Sequence, residues 1–114
     1  MGEGMKIGIP FSRRMAIAAI GGEKECTTRS SRYGVPGDTF PVEDPRSKYV
    51  HTFELTKVEP RTLDDVRDHL WKEEGFTSPG DFEEFWKKIH YNNYRGGRIY
   101  FVHWFRPYTT GDVK

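Results

Sequence analysis

Residues 21–29, GGEKECTTR, combine a glycine pair, a lysine, two threonines and an arginine. A partly desolvated lysine amine loses its proton readily and accepts one from a hydroxyl group, which turns that hydroxyl into a nucleophile. Lys24, Thr27 and Glu74, the last of these from residues 71–76, WKEEGF, fit such a set. The same residue types also suit a ligand-binding site without chemistry, or a structural clamp in which Lys24 pairs with Glu74. The sequence leaves these three interpretations open.

The order of these residues resembles the ASCH domain, a small β-barrel-like module related to the PUA domains of RNA-modifying proteins. The matching positions are Gly22, Lys24, Thr27, Arg29, Gly37, Asp38, Glu74, Gly75, Phe76, Trp86 and the aromatic segment 98–105. The resemblance extends from about residue 5 to residue 106. It implies an α+β fold, a PUA-like mixed β pseudo-barrel with inserted α-helices, built as a single domain over residues 1–114.

The resemblance also implies a function for the cleft. An ASCH module of this kind binds RNA or a modified nucleoside, here in a cleft lined by Lys24, Thr27, Arg29 and Glu74. Some small bacterial ASCH proteins are similar at three of these positions and hydrolyse the amide of acetylated cytidine. For that alternative the resemblance implies Lys24 as base, Thr27 as nucleophile and Glu74 as carboxylate partner, with Arg29 or a backbone amide near Gly22 stabilising the oxyanion. Whether the chain is an enzyme stays open.

Residues 91–98, YNNYRGGR, interleave aromatic and basic side chains. Bases of single-stranded RNA stack on aromatic rings, and guanidinium groups hold phosphates. Tyr94, Arg95 and Arg98 are therefore candidate RNA contacts, and Arg32 extends the basic surface. The expected partner is RNA or a nucleoside.

The composition of the chain argues against disulfides and metal sites. The chain has one cysteine, Cys26, so it forms no internal disulfide and no thiolate metal site on its own. Its four histidines lack HxH or HExxH spacing. We therefore expect no metal and no cofactor. The chain also lacks an apolar run of membrane-spanning length, which favours a cytoplasmic location and no membrane partner.

Periodicity and capping residues predict the elements that hold these side chains. Alternating apolar residues predict strands over residues 5–10 and 49–58. Further strands are predicted over residues 25–29, 39–42 and the aromatic segment 99–105. Ser12, Thr62 and Ser78 predict the starts of helices that continue to residues 20, 75 and 89.

These elements must bring distant residues together for any site to form. In a regular strand Thr27 and Arg29 share one face and Lys24 points to the other, so a Lys24–Thr27 contact requires Lys24 to lie in the turn. We expect the side chains of Lys24, Thr27, Arg29 and Glu74 to converge on one concave surface. For this, the C-terminal end of the helix from Thr62 has to lie over residues 22–24.

Overall fold

A computed structural model describes residues 4–108. Its helices are α1 (Arg13–Ile20), α2 (Leu63–His69) and α3 (Pro79–Ile89), and its strands are β1 (Cys26–Arg29), β2 (Thr39–Glu43), β3 (Val50–Thr62) and β4 (Ile99–Pro107). The strands form one antiparallel sheet in the order β1-β4-β3-β2. A register shift between Leu55 and Lys57 marks a bulge in β3, and bulges increase strand twist and bend. The sheet curls into a half-barrel with three helices, which confirms the predicted α+β fold.

The helix starts follow from local side-chain chemistry. The hydroxyls of Ser12, Thr62 and Ser78 accept hydrogen bonds from the backbone N–H groups three residues further on, those of Met15, Asp65 and Asp81. Each cap satisfies an N–H group that has no partner within its helix. Pro79 begins α3, where a missing N–H costs nothing. All three predicted starts are confirmed.

The predicted strand over residues 5–10 is wrong. This segment makes a single parallel bridge, Lys6 to Thr39, in which the N–H of Ile7 donates to the carbonyl of Thr39 at 2.8 Å. Ile9 is buried in the core, so the chain leaves the sheet edge there. Pro10 has no N–H with which to continue a ladder.

The predicted extension of α2 to Gly75 is also wrong, because the helix ends at His69. Leu70 leaves the helical conformation, with φ −125° and ψ 9°, and its side chain is buried. Residues 71–75 form turns instead, and the N–H of Phe76 donates to the carbonyl of Trp71. This tighter path buries Glu74, which the site below depends on.

Two hydrophobic clusters form the core, and α1 belongs to both. Met15 packs with residues of β1, α2, α3 and β4, whereas Ala16 and Ala19 pack with Phe40, Phe53 and other residues of the second cluster. Helix α1 is thereby fixed against both halves of the sheet, and the turn that follows it has a defined position. Within residues 4–108, every helix is too short or too polar to span a lipid bilayer.

Candidate functional site

The turn between α1 and β1 places Lys24 away from the strand. The N–H groups of Glu23 and Lys24 both donate to the carbonyl of Ala18, at 2.9 and 3.1 Å. Gly22 has φ +89°, a left-handed conformation that favours glycine. Lys24 therefore lies in the turn and its side chain is buried, but its amine bonds to Glu74 and not to Thr27 as predicted. Gly22, a predicted ligand contact, does not line the pocket that Lys24 and Glu74 line; it sets the path of the chain.

The C-terminal end of the helix from Thr62 was predicted to lie over this turn, but α2 ends at His69 and the segment after it lies there instead. The carbonyl of Glu73 accepts hydrogen bonds from the N–H groups of Glu25 at 2.6 Å and Cys26 at 3.2 Å. Gly75 has φ +94°, and a Cβ atom placed on it would lie 3.1 Å from the Cβ of Lys24. These contacts hold Glu74 directly above the lysine.

Glu74 connects two residues from the other segment. Its Oε1 atom accepts a hydrogen bond from Lys24 Nζ at 2.9 Å, and its backbone carbonyl accepts a second from the same amine at 2.9 Å. Its Oε2 atom accepts a hydrogen bond from the hydroxyl of Thr28. The side chains of Lys24 and Glu74 are 2% and 4% exposed. Both carboxylate oxygens are thus fixed in orientation by buried partners.

Thr27 has a different partner. Its Oγ1 atom accepts a hydrogen bond from Arg29 Nη1 at 2.5 Å, and the same nitrogen donates to the carbonyl of Thr28 at 2.9 Å. Arg29 Nη2 donates to the carbonyl of Pro10 at 2.6 Å. Burial lowers the pKa of Arg29 from its ordinary value. Neutral oxygens hold this guanidinium, and it forms no ion pair with a carboxylate within residues 4–108.

These side chains share one pocket of about 470 Å³, which is within the usual range for small-molecule sites. We call Lys24, Thr27, Thr28, Arg29 and Glu74 the polar end of the pocket. We call Phe76, Phe82, Phe85, Trp86 and Tyr100 its aromatic wall. The predicted convergence of Lys24, Thr27, Arg29 and Glu74 on one concave surface is therefore what the structure shows.

Of the other arginines predicted to contact RNA, one lines the pocket and two lie outside it. Arg98 lines the pocket, with its guanidinium 5.1 Å from the centre of the Tyr100 ring. Arg95 is exposed on the same loop, outside the pocket lining. Arg32 lies 4.6 Å above the ring of Phe101, also outside it.

Tyr94 packs onto the helices instead of facing the pocket. Its hydroxyl donates to Asp64 Oδ1 at 3.0 Å, and Arg67 and Lys87 lie over its ring. Burial and the bond to Asp64 raise the pKa of Tyr94. Its ring is already occupied by protein contacts.

Two further residues near the site have structural roles. His103 is fully buried, and its Nε2 atom accepts a hydrogen bond from the N–H of Tyr33, so Nδ1 carries the proton and donates to the carbonyl of Phe101. Burial lowers the pKa of His103, which keeps the ring neutral. Burial likewise raises the pKa of the Cys26 thiol, so this cysteine is not a thiolate nucleophile. Among residues 4–108, His, Cys, Asp and Glu side chains form no group of three suited to a metal ion.

Sequence reasoning missed Thr28 and the aromatic residues of α3 as parts of the site. Alternation along β1 places Thr28 opposite Thr27 in side-chain direction. That Thr28 is the threonine bonded to Glu74 follows from the position of Glu74, which only the fold supplies. Phe82, Phe85 and Trp86 pack in or against the hydrophobic core, and they also line the pocket.

Comparison with known proteins identifies similar structures. No protein-family model matches the chain. No curated protein sequence matches it either. Among solved structures, an ASCH domain from Lactobacillus crispatus JV V101 is similar with a TM-score of 0.66 and 14% identity over 92% of this chain and 79% of that one.

Two further solved structures have the same fold. A DUF984 protein from Enterococcus faecalis V583 is similar with a TM-score of 0.64 and 18% identity over 92% of this chain and 76% of that one. A variant ASCH protein from Zymomonas mobilis is similar with a TM-score of 0.63 and 15% identity over 89% of this chain and 67% of that one.

Proposed function

Because the chain has the fold of the ASCH domain, we propose that its pocket binds a nucleobase, presented by RNA or by a modified nucleoside. One observation carries the proposal: the aromatic wall and the polar end face the same cavity. A nucleobase has flat faces that stack on aromatic rings and an edge that carries hydrogen-bond donors and acceptors. The pocket lining contains both kinds of group.

The polar end is suited to reading a base edge because its groups are fixed. Both oxygens of Glu74 are held by Lys24 and Thr28, and the Thr27 hydroxyl is held by Arg29. Groups that are already oriented lose little conformational entropy when a ligand binds. Lone pairs on the carboxylate and the remaining N–H groups of the two cations supply both acceptors and donors.

The charge of the lining favours an anionic or electron-rich ligand. Lys24, Arg29 and Arg98 contribute positive charge, and Glu74 is the acidic side chain in the lining formed by the described residues. Glu74 offsets Lys24, whereas Arg29 is held by neutral oxygens. A phosphate or a carbonyl oxygen of a base would therefore find a guanidinium that forms no direct ion pair within residues 4–108.

Fluorescence titration with single-stranded RNA oligomers at two salt concentrations, together with calorimetry on nucleosides, tests this function. Saturable RNA binding that weakens at higher salt is expected, because phosphate contacts release counterions. Arg29→Met should weaken binding about 10- to 150-fold, the range for a hydrogen bond to a charged group.

The matched control is Arg13→Met, which changes an exposed arginine whose Nη1 atom contacts Pro45 outside the pocket. Its binding should equal that of the wild type. Absence of saturable binding to every RNA and nucleoside tested would eliminate the proposal. Equal losses in the two arginine variants would eliminate the pocket as the site.

A second candidate function is hydrolysis of an amide on an acetylated nucleoside. It is motivated by the buried chain from the Thr28 hydroxyl through Glu74 to the Lys24 amine, although this chain does not include Thr27. In such a reaction a threonine oxygen bonds to the acetyl carbon, its proton passes to the base, and the nucleoside amine leaves with a proton; water then releases acetate. The resemblance implies Thr27 as that nucleophile, whereas the hydroxyl bonded to the carboxylate is that of Thr28.

Incubation with acetylcytidine and chromatography of the products tests this candidate. Turnover that Thr27→Val abolishes and Thr28→Val retains would support Thr27, and the reverse would support Thr28. Absence of turnover by folded protein that binds nucleosides would eliminate hydrolysis and leave the binding function intact.

A further inference from the structure

The loop after α3 exposes an aromatic ring beside the pocket. Tyr91 is 95% exposed, the largest value among the exposed large hydrophobic residues described. Tyr91 and the next residue, Asn92, have φ angles of 55° and 65°. Non-glycine residues rarely adopt this left-handed conformation, and such strain is concentrated at functional sites.

Hydrogen bonds fix this strained turn. The N–H of Asn92 donates to the carbonyl of Lys87 at 2.7 Å, and the N–H of Asn93 donates to the carbonyl of His90 at 3.0 Å. The chain therefore reverses sharply at the end of α3. The ring of Tyr91 is left in solvent, whereas the ring of Tyr94 in the same loop packs against the helices.

The exposed ring belongs to a loop that lines one side of the pocket. His90 and Asn93, on either side of the strained turn, both line the pocket, as does Arg98 at the other end of the loop. We call Tyr91, Arg95 and Arg98 the rim. A ligand that leaves the pocket on this side passes over the rim.

The rim also has the charge that a polynucleotide requires. The loop of residues 91–98 contains two arginines, Arg95 and Arg98, and no Asp or Glu. Arg95 makes its side-chain hydrogen bond to the neutral amide of Asn93. Arg98 lies over the ring of Tyr100. Neither guanidinium forms an ion pair within residues 4–108, so both are available to phosphates.

We propose that the rim binds the nucleotides that flank the base in the pocket, so that the ligand is a single-stranded RNA chain and not a free nucleoside. This inference rests on the proposed function. The ring of Tyr91 stacks on a neighbouring base, and Arg95 and Arg98 contact the phosphates on either side of it. Because every base has a stacking face, the rim adds affinity without adding sequence preference.

Binding of two kinds of ligand to four proteins tests the rim. The ligands are the four nucleoside 5′-monophosphates and single-stranded RNA oligomers of mixed sequence. The proteins are the wild type, Tyr91→Ala, Tyr91→Phe and Tyr49→Ala, the last changing a tyrosine that is 73% exposed in the loop between β2 and β3. Both alanine variants remove an exposed ring, so neither should unfold the protein.

Tyr91→Ala should reduce oligomer affinity about 5- to 150-fold, the measured range for loss of one base-stacking ring, and leave mononucleotide affinity unchanged. Tyr49→Ala should change neither, and Tyr91→Phe should retain oligomer affinity. Unchanged oligomer affinity in Tyr91→Ala would overturn the rim and leave the pocket function standing. Parallel losses for both ligands would also overturn it, because Tyr91 would then act through the pocket. Failure of the wild type to bind either ligand would eliminate the proposed function and this inference together.

Discussion

Lys24 Nζ lies 2.9 Å from Oε1 of Glu74, and the two residues are 50 positions apart in the chain. This contact joins the turn after α1 to the segment after α2. Both side chains are almost fully buried, so each charge depends on the other for compensation. Loss of one partner leaves an uncompensated charge in a medium of low dielectric constant.

Replacing one partner should therefore be costly. Lys24→Met keeps most of the side-chain volume but leaves Glu74 without its cation, and we expect a loss of about 3–5 kcal/mol in the free energy of unfolding. The double variant Lys24→Met/Glu74→Gln should be more stable than Lys24→Met, because it removes the stranded charge and keeps an oxygen that accepts the Thr28 hydroxyl. Urea denaturation of the three proteins measures the difference.

An exposed ion pair provides the control. Lys87 Nζ lies 2.8 Å from Glu83 Oε2, with the lysine side chain 41% exposed. Lys87→Met should cost less than about 1 kcal/mol, since solvent screens such pairs. A similar cost at positions 24 and 87 would contradict the view that Lys24 and Glu74 form a buried clamp.

Local signals in the sequence predicted the helix starts correctly. The end of α2 was predicted wrongly because it depends on long-range contacts. Ser12, Thr62 and Ser78 cap helices through bonds to N–H groups three residues away, so each cap can be read from a short segment. The end of α2 is different, because the carbonyl of Glu73 accepts hydrogen bonds from the N–H groups of Glu25 and Cys26, which are distant in the chain. No pattern within residues 62–75 encodes that contact.

In the candidate site, too, the sequence predicted the residues but not the contacts between distant segments. Lys24, Thr27, Arg29 and Glu74 were predicted as a group and line one pocket. The partner of each hydroxyl was not predictable, because it depends on which side of β1 Glu74 approaches. Likewise, the sequence does not show which of the loop residues Tyr91 and Tyr94 is exposed. The hydrogen bond of Tyr94 to Asp64 distinguishes them in the structure.

Two glycines at the site should respond differently to substitution. Both Gly22 and Gly75 have positive φ, but a Cβ atom on Gly22 would meet open space, whereas one on Gly75 would lie 3.1 Å from Lys24 Cβ and 3.4 Å from Ala18 Cβ. Gly22→Ala should cost about 1–2 kcal/mol from the backbone alone. Gly75→Ala adds overpacking against Lys24, for a total of about 2–5 kcal/mol.

Thermal unfolding of the two alanine variants shows whether Gly75→Ala loses more stability than Gly22→Ala. Because Gly75→Ala also displaces Lys24 from Glu74, its ligand affinity should fall, whereas Gly22→Ala should retain affinity when assayed well below its melting temperature. Equal stability losses would show that the segment after α2 moves freely away from the turn.

His103 should make stability fall in mild acid. Burial lowers the pKa of its imidazole in the folded protein, so on acidification the unfolded chain takes up the proton first. The contribution is fully present above the unfolded pKa of about 6.5 and declines as the pH falls toward the folded value, by at most about 1.4 kcal/mol per pH unit.

Urea denaturation at about pH 7.5 and 5.5 measures this decline. His103→Gln keeps one donor and one acceptor for Phe101 and Tyr33 and should show a smaller difference between the two pH values. The exposed residue His69 provides the matched control, and His69→Gln should retain the wild-type difference. If His103→Gln leaves the pH dependence of the unfolding free energy unchanged, that dependence arises from other groups.

The salt dependence of RNA binding should distinguish the two kinds of residue in the rim. Each phosphate contact on a single strand contributes about −0.7 to the slope of log affinity against log salt concentration. Arg95→Gln should therefore make the slope shallower by about 0.7, and Tyr91→Ala should weaken binding without changing the slope, because stacking releases no counterions. Arg46→Gln, at an exposed arginine paired with Asp44 in the loop between β2 and β3, should change neither quantity. Fluorescence titrations over a range of salt concentrations give all four slopes, and equal slopes for Arg95→Gln and the wild type would remove Arg95 from the RNA path.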